Sequence, residues 1–208
     1  DSEVEQIKLS GEEIRELEPN LSNQIQGGWH FPKAHHTLDP DLILEKLYQS
    51  FLNRGGQFLK EEVSTIRPSQ GSVQINHSDY DQVVVCAGAF SNLLVKQIEG
   101  QFIPLETERG YHIEFIKKQQ LLSRPTSLVE SGMYLTPLHN CIRAVGTVEL
   151  GGLHSHISQA RIDYIARDAK RLLPSLQDYQ NPWLGYRPTL PDCLPVLGKS
   201  PKFKNIFY

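Results

Sequence analysis

Arg187 is the residue of this sequence best suited to binding chemistry. It lies between Gly185 and Pro188 in a proline-rich, mostly apolar stretch over 183–198, WLGYRPTLPDCLPVLG, which predicts a poor helix and a broken strand. A guanidinium buried in such surroundings must find several acceptors, because an unpaired buried charge is costly. Its planar fork best fits a carboxylate, and the prolines would hold it still. The stretch therefore indicates a carboxylate-binding site, although an internal ion pair, for example with Asp192, explains the residues equally well on sequence alone.

No second catalytic pattern of comparable strength occurs in the sequence. The histidines that suggest a metal are His30, His35, His36, His154 and His156. Metal sites need spaced ligands on rigid elements. These histidines are therefore interpreted as polar loop residues, and no metal site is predicted. A G-x-S-x-G turn is missing, and the glycines of GTVELGG lack the lysine and the spacing of a phosphate loop. Hydrolase and kinase functions are thereby excluded.

Residues 83–91 have the pattern of one half of a nucleotide-binding βαβ unit. Three valines at 83–85 form an apolar run without alternation, which is typical of a strand buried on both faces. Small residues follow at 87–89, and a helix is predicted to start near Ser91. The alternative, which the spacing alone favours, is that the small residues only let the helix pack closely. No glycine pair fits G-x-G-x-x-G, so the pyrophosphate loop of a bound dinucleotide would lie outside this chain.

Other patterns predict helices and strands in segregated order. One helix is predicted to start at a capping box formed by Ser10 and Glu13 and to stop at Pro19. A second is predicted to start at Asp39 and to stop at Gly55 and Gly56. A third is predicted to start near Ser158 and to stop at Pro174. Two strands joined by a polar turn at 69–71 are predicted within 57–78, and further strands between 100 and 150. Because helices and strands are segregated rather than strictly alternating, the predicted fold class is α+β.

Composition and charge restrict the function further. A formal net charge of −3, with scattered basic residues, gives no surface for nucleic acid. No apolar run approaches the roughly 20 residues of a membrane span, and no signal peptide opens the chain. Cys86, Cys141 and Cys193 are odd in number and far apart, which predicts a reducing, cytoplasmic setting. The abrupt ends predict an internal piece of a longer protein.

Four segments, taken in chain order, resemble the FAD-dependent amine oxidoreductases, the family of glycine oxidase, sarcosine oxidase and the bacterial D-amino acid dehydrogenases. The segments are VVVCAGAFSNLL, IPLETERGYHIEF, SGMYLTP with AVGTVELGG, and WLGYRPTLPDCLPVLGKSP followed by NIFY. The most specific motif is G-x-R-P-x-x-P-D-x-x-P-x-x-G over residues 185–198. The resemblance covers nearly the whole chain.

The resemblance implies a mixed-sheet substrate domain and part of an FAD-binding α/β domain of the glutathione-reductase-like kind. Residues 1–35 and 100–182 would form the substrate-binding domain, and residues 36–99 and 183–208 the partial FAD-binding domain. The first βαβ unit and the glycine-rich turn that follows NIFY in the family would be absent. We therefore expect this piece by itself to bind FAD weakly and to have no catalytic activity.

The resemblance also implies roles for single residues. Arg187 would bind the substrate carboxylate, and Tyr134 would assist it. The residues that would contact FAD are Val63, Ala87, Gly88 and Gly185. The implied reaction is oxidative deamination of a D-amino acid or a related small amino acid, with hydride passing from Cα to the flavin N5. No residue is predicted as a general base.

Alternatives stay open at this point. Within the family, the runner-up is an N-methyl amino acid oxidase of the sarcosine type. From another class, a non-catalytic binding module is the alternative. Two electron acceptors are compatible with the resemblance, oxygen and a quinone reached peripherally at the inner membrane face.

Overall fold

The computed structural model describes residues 4–69, 71–116 and 119–208. The α-helices in these ranges are α1 (Gly11–Leu17), α2 (Pro40–Asn53), α3 (Ser91–Glu99) and α4 (Gln159–Leu172). Each corresponds to a predicted helix, so these predictions are confirmed. The Ser10 hydroxyl accepts a hydrogen bond from the Glu13 N–H at 3.3 Å, and the Glu13 carboxylate accepts one from the Ser10 N–H at 2.8 Å. Asp39 caps α2 in the same manner by accepting from the Leu42 N–H at 2.9 Å.

The strands of the described ranges form four sheets. They are β1 (Ile7–Ser10), β2 (Gly27–His30), β3 (Ile66–Pro68), β4 (Val73–Ile75), β5 (Ser78–Tyr80), β6 (Val83–Val84), β7 (Glu106–Ile116), β8 (Thr126–Leu128), β9 (Met133–Pro137), β10 (Cys141–Leu150), β11 (Gln180–Thr189) and β12 (Ile206–Phe207). The largest sheet has the order β11-β7-β10-β9-β8, and the others are β3-β4-β5, β1-β2 and β12-β6. β12 and β6 run parallel, whereas β1 and β2 run antiparallel. The mixture confirms the predicted α+β fold class.

The chain divides into two compact units. Unit 1 comprises Asp1–Gly56, Gly110–Val148 and His156–Leu184, and unit 2 comprises Gln57–Arg109, Glu149–Ser155 and Gly185–Tyr208. The division falls within strands β7, β10 and β11. The two units are defined by their compactness and not by what they bind. The division of the chain into a substrate-binding domain and a partial FAD-binding domain therefore stays a prediction.

The core of unit 1 joins α4 to one face of its strands. Tyr111, Ile113 and Phe115 alternate along β7 and are buried, while the residues between them are less buried. The buried residues of α4 recur at helical spacing and include Ile162, Ile165, Ala169 and Leu172. All of these side chains belong to one apolar cluster. Burial of each large apolar side chain stabilises the folded state by about 1.5–3 kcal/mol. This cluster therefore determines which face of β7 is turned to the core and leaves the polar residues on the opposite face.

The core of unit 2 is smaller. Its buried apolar residues are Ile66, Val73, Val85, Ile98 and Ile206. The prediction that the valines at 83–85 form a strand buried on both faces is wrong, because β6 spans only Val83–Val84 and Val84 is 62% exposed. Val85 is buried, so this segment is covered on one face within unit 2.

The stretch that contains Arg187 is more regular than predicted. Residues 183–189 form the second part of β11, although Pro182 and Pro188 lie within that strand. Prolines fit there because β11 is the first strand in its sheet's order, and an edge strand has N–H groups that need no ladder partner. Beyond Thr189 the chain is irregular, as predicted. Cys193 has a left-handed φ of 58°, and its N–H donates to the Leu190 C=O at 2.9 Å.

Candidate active site

Arg187 lies in the part of β11 that belongs to unit 2, and its side chain is 61% exposed. Its Nη1 is 3.2 Å from Oε2 of Glu108, which lies on β7 in the same unit. Among the described residues this is the one partner of Arg187, so most of the guanidinium fork faces solvent. Asp192, the partner considered from the sequence, instead accepts a hydrogen bond from the Leu194 N–H at 3.1 Å.

The buried arginine of unit 2 is Arg109, and the burial expected for Arg187 is therefore wrong. Arg109 is fully buried on β7, with Nη1 3.2 Å from Glu149 Oε2 and Nη2 donating to the Ser155 C=O at 2.7 Å. Gly151 lies close beside it, so a Cβ added there would lie 2.6 Å from Arg109 Nη1 and the arginine side chain would have to shift. Burial alternates along β7 and turns Arg109 inward and Glu108 outward, whereas Arg187 lies on β11, a strand in which no residue is buried.

The segment between β6 and α3 forms the predicted turn of small residues. Gly88 follows Ala87 with φ 55°, in the left-handed region that favours glycine. A Cβ added to Gly88 would have no heavy atom within 4 Å, so the turn has an open side. The ring of Phe90 contacts the ring of Tyr186 edge to face, with centroids 5.7 Å apart. Because Tyr186 directly follows Gly185 on β11, this contact places the Gly185 part of β11 beside the turn within unit 2.

Val63 lies in a loop of unit 2 whose shape is fixed by Asn76. The Asn76 Oδ1 accepts hydrogen bonds from the Ser64 N–H at 3.0 Å and the Thr65 N–H at 3.2 Å, and its Nδ2 donates to the Glu62 C=O at 2.9 Å. Asn76 itself has a left-handed φ of 51°. Within the described ranges, the backbone N–H and C=O of Val63 make no hydrogen bond. The loop therefore leaves one backbone donor and one backbone acceptor without a partner among the described residues.

Tyr134 lies on β9 in unit 1 and is 54% exposed between two buried neighbours. It is paired with Val145 of β10 and with Ser127 of β8. Its hydroxyl makes no hydrogen bond in the part of the chain that the structure describes. Tyr134 and Arg187 belong to different units, so their action on a single substrate stays a prediction.

Polar and aromatic pairs on strands of unit 1 were missed by sequence reasoning. His112 of β7 stacks on Trp183 of β11, with ring centroids 4.7 Å apart and planes inclined by 21°. The Glu114 carboxylate accepts from Arg143 at 2.8 Å and from Asn181 at 3.0 Å. The signal that could have found them is the alternation of polar and apolar residues in ETERGYHIEFI, which places these polar residues on the face opposite the core.

The environment shifts the pKa values of two of these groups. Burial lowers the pKa of His112 below 6.5, the charge of Arg143 lowers it further, and the Glu114 carboxylate opposes both. Burial acts to raise the pKa of Glu114, but the hydrogen bonds from Asn181 and Arg143 and the nearby positive charge leave it below its ordinary value. A neutral imidazole beside an ionised carboxylate is therefore favoured near neutral pH.

Known proteins similar to this chain define its class. A family model described as FAD dependent oxidoreductase matches residues 2–208, and the chain belongs to this family. The resemblance to FAD-dependent oxidoreductases predicted from the sequence is thereby confirmed.

Individual relatives agree with that class. The D-amino-acid oxidase of Bradyrhizobium diazoefficiens is 27% identical over 213 residues, covering 97% of this chain and 50% of that protein. A D-amino acid dehydrogenase of Helicobacter pylori is 26% identical over 210 residues, covering 96% of this chain and 50% of that protein. This chain thus spans about half the length of the curated relatives it matches.

A solved structure supports the fold. Glycine oxidase from Geobacillus kaustophilus superposes with a TM-score of 0.83 at 24% identity, covering 98% of this chain and 56% of that chain. Among the residues described, no helix has the length and apolar character to cross a membrane. The same residues contain no group of three or more His, Cys, Asp or Glu side chains arranged to hold a metal ion.

Proposed function

We propose that the gene product containing this chain uses FAD to oxidise the Cα–N bond of a D-amino acid or a related small amino acid. The observation that carries the proposal is the exposed guanidinium of Arg187, held on a strand with most of its fork open. Membership of the FAD dependent oxidoreductase family supports flavin chemistry. The names of the relatives, D-amino-acid oxidase and D-amino acid dehydrogenase, support an amino acid as substrate.

The residues of unit 2 suit the cofactor at two places. The backbone N–H and C=O of Val63, which have no partner among the described residues, would supply a donor and an acceptor to the edge of an adenine. The turn at Ala87 and Gly88 has an open side, and with neighbouring Gly185 it would hold the rest of the nucleotide. When bound, FAD supplies a hydride acceptor at its N5.

The substrate carboxylate would be held by Arg187 through two parallel hydrogen bonds. The open hydroxyl of Tyr134 would donate a third, which would fix the orientation of Cα. Misplacement of a reacting atom by about 1 Å can cost roughly 10²-fold in rate. A strand position flanked by Gly185 and Pro188 is a suitable support, because regular strand geometry limits the movement of the Arg187 backbone.

The visible spectrum of the complete gene product tests this proposal. The protein is kept without oxygen, and spectra are recorded before and after addition of D-amino acids, glycine or sarcosine. Bleaching by D-amino acids or glycine is the expected result. Reoxidation by air, compared with reoxidation by a quinone alone, then identifies the electron acceptor.

Two other results would contradict the proposal in different ways. Bleaching by sarcosine alone would favour an N-methyl amino acid oxidase. A complete gene product that binds no flavin would favour a non-catalytic binding module.

A further inference from the structure

Glu108 is the residue whose carboxylate lies against the guanidinium of Arg187 in the candidate carboxylate site. Its Oε2 lies 3.2 Å from Arg187 Nη1, and the two side chains are 31% and 61% exposed. The contact uses one nitrogen of the guanidinium, so it is not the bidentate pair that an arginine forms with a carboxylate in its preferred geometry. A substrate carboxylate that forms two hydrogen bonds would therefore displace Glu108.

The chemistry of an α-amino acid matches this pair of side chains. An amino acid carries a carboxylate and an amino group on adjacent carbon atoms, and the amino group is positively charged near neutral pH. Arg187 and Glu108 present the complementary charges within hydrogen-bonding distance of each other. A carboxylic acid without an amino group would complement only Arg187 and would compete directly with Glu108.

We propose that Glu108 is a specificity-determining residue that binds the substrate amino group after the substrate carboxylate has taken its place on Arg187. This inference rests on the proposed function, because it assumes that Arg187 receives the carboxylate. It narrows the substrate class to amino acids and disfavours simple carboxylic and hydroxy acids. Exposed ion pairs are weak, so exchange of Glu108 for the substrate carboxylate has a low cost.

The test compares two ligands that differ by one amino group, D-alanine and propionate. Binding to the complete flavoprotein is measured by anaerobic calorimetry after reduction with dithionite, so that no oxidation follows. Glu108→Gln keeps the size of the side chain and removes its charge. We expect the Kd of D-alanine to rise at least about tenfold. The Kd of propionate should fall, because the competing carboxylate has been removed.

Glu106→Gln is the matched control, since Glu106 is an exposed residue at the start of the same strand, two positions before Glu108. It should change neither Kd. Equal weakening of both ligands by Glu108→Gln would overturn the proposal and leave Glu108 as a support for Arg187. An unchanged Kd for D-alanine would overturn it as well. If the wild-type protein binds neither ligand and no amino acid bleaches its flavin, the proposed function itself fails.

Discussion

His112 and Trp183 stack with their ring centroids 4.7 Å apart and their planes inclined by 21°. The half-buried imidazole has a pKa below 6.5, the ordinary value that it recovers on unfolding. Below about pH 6.5 the unfolded chain therefore binds more protons than the folded protein. We expect the free energy of unfolding to fall as the pH drops through about 6.5, until the lower folded-state pKa is passed.

Urea unfolding of wild type and His112→Gln, measured from pH 8 to pH 5, checks this expectation. The variant should lose part of the decrease that wild type undergoes in that range. His35→Gln, which removes an imidazole from an exposed loop position, controls for the loss of one histidine. Identical pH dependence in wild type and His112→Gln would contradict a lowered pKa of His112 in the folded protein.

Asn76 is predicted to be important for retention of FAD. Asn76→Ala removes the hydrogen bonds that hold the loop on either side of Val63, and at φ 51° it replaces asparagine with a residue that tolerates the left-handed region less well. Unfolding free energy should fall by about 1–3 kcal/mol, and the Kd for FAD, measured by quenching of flavin fluorescence in the apoprotein, should rise. Asn20→Ala, which removes a single hydrogen bond to Leu121 in unit 1, should leave the Kd unchanged. Tight FAD binding by Asn76→Ala would exclude this loop from the cofactor site.

Arg187→Ala in the complete protein should raise KM for the amino acid at least about 100-fold. Each hydrogen bond to a charged group is worth about 1.5–3 kcal/mol, and the fork would supply two of them. Arg187→Lys should restore little, because a point charge does not reproduce the planar fork. Arg67→Ala changes an exposed arginine elsewhere in unit 2 and serves as the control in steady-state kinetics. Unchanged KM in both Arg187 variants would remove this residue from the substrate site.

Tyr134→Phe tests the second substrate contact. The Tyr134 side chain is largely exposed and its hydroxyl makes no hydrogen bond within the described ranges, so the Tm should not change. Loss of one hydrogen bond to the substrate, worth about 1 kcal/mol, should raise KM about fivefold. Tyr80→Phe, at another exposed tyrosine, should leave KM as it is in wild type. Equal KM values for Tyr134→Phe and wild type would mean that the hydroxyl does not touch the substrate.

The helices could be predicted because their start and stop signals are local. Ser10 and Asp39 make their capping hydrogen bonds within three residues, and Pro174 follows closely after the end of α4. The turn between β6 and α3 was also predictable, because its small residues are adjacent in the sequence.

Long-range pairing could not be predicted in the same way. Glu108 and Arg187 are 79 positions apart, and no local pattern links them, whereas Asp192 lies close to Arg187 in sequence but bonds elsewhere. The segment before Ile66 was predicted as a strand, yet the side chain of Asn76 takes the backbone hydrogen bonds that a neighbouring strand would otherwise take. The strand β3 and its pairing with β4 are confirmed.

The two outer strands of the large sheet differ from its interior strands in a way that affects association between molecules. At one end, β11 carries Pro182 and Pro188, which have no N–H to offer to an incoming strand. At the other end, β8 is three residues long and is preceded by Pro125. Exposed edges that are long and regular recruit strands from other chains, whereas short or proline-bearing edges do not. Both margins of this sheet are therefore protected against edge-to-edge aggregation, and one of the two prolines that protect β11 directly follows Arg187.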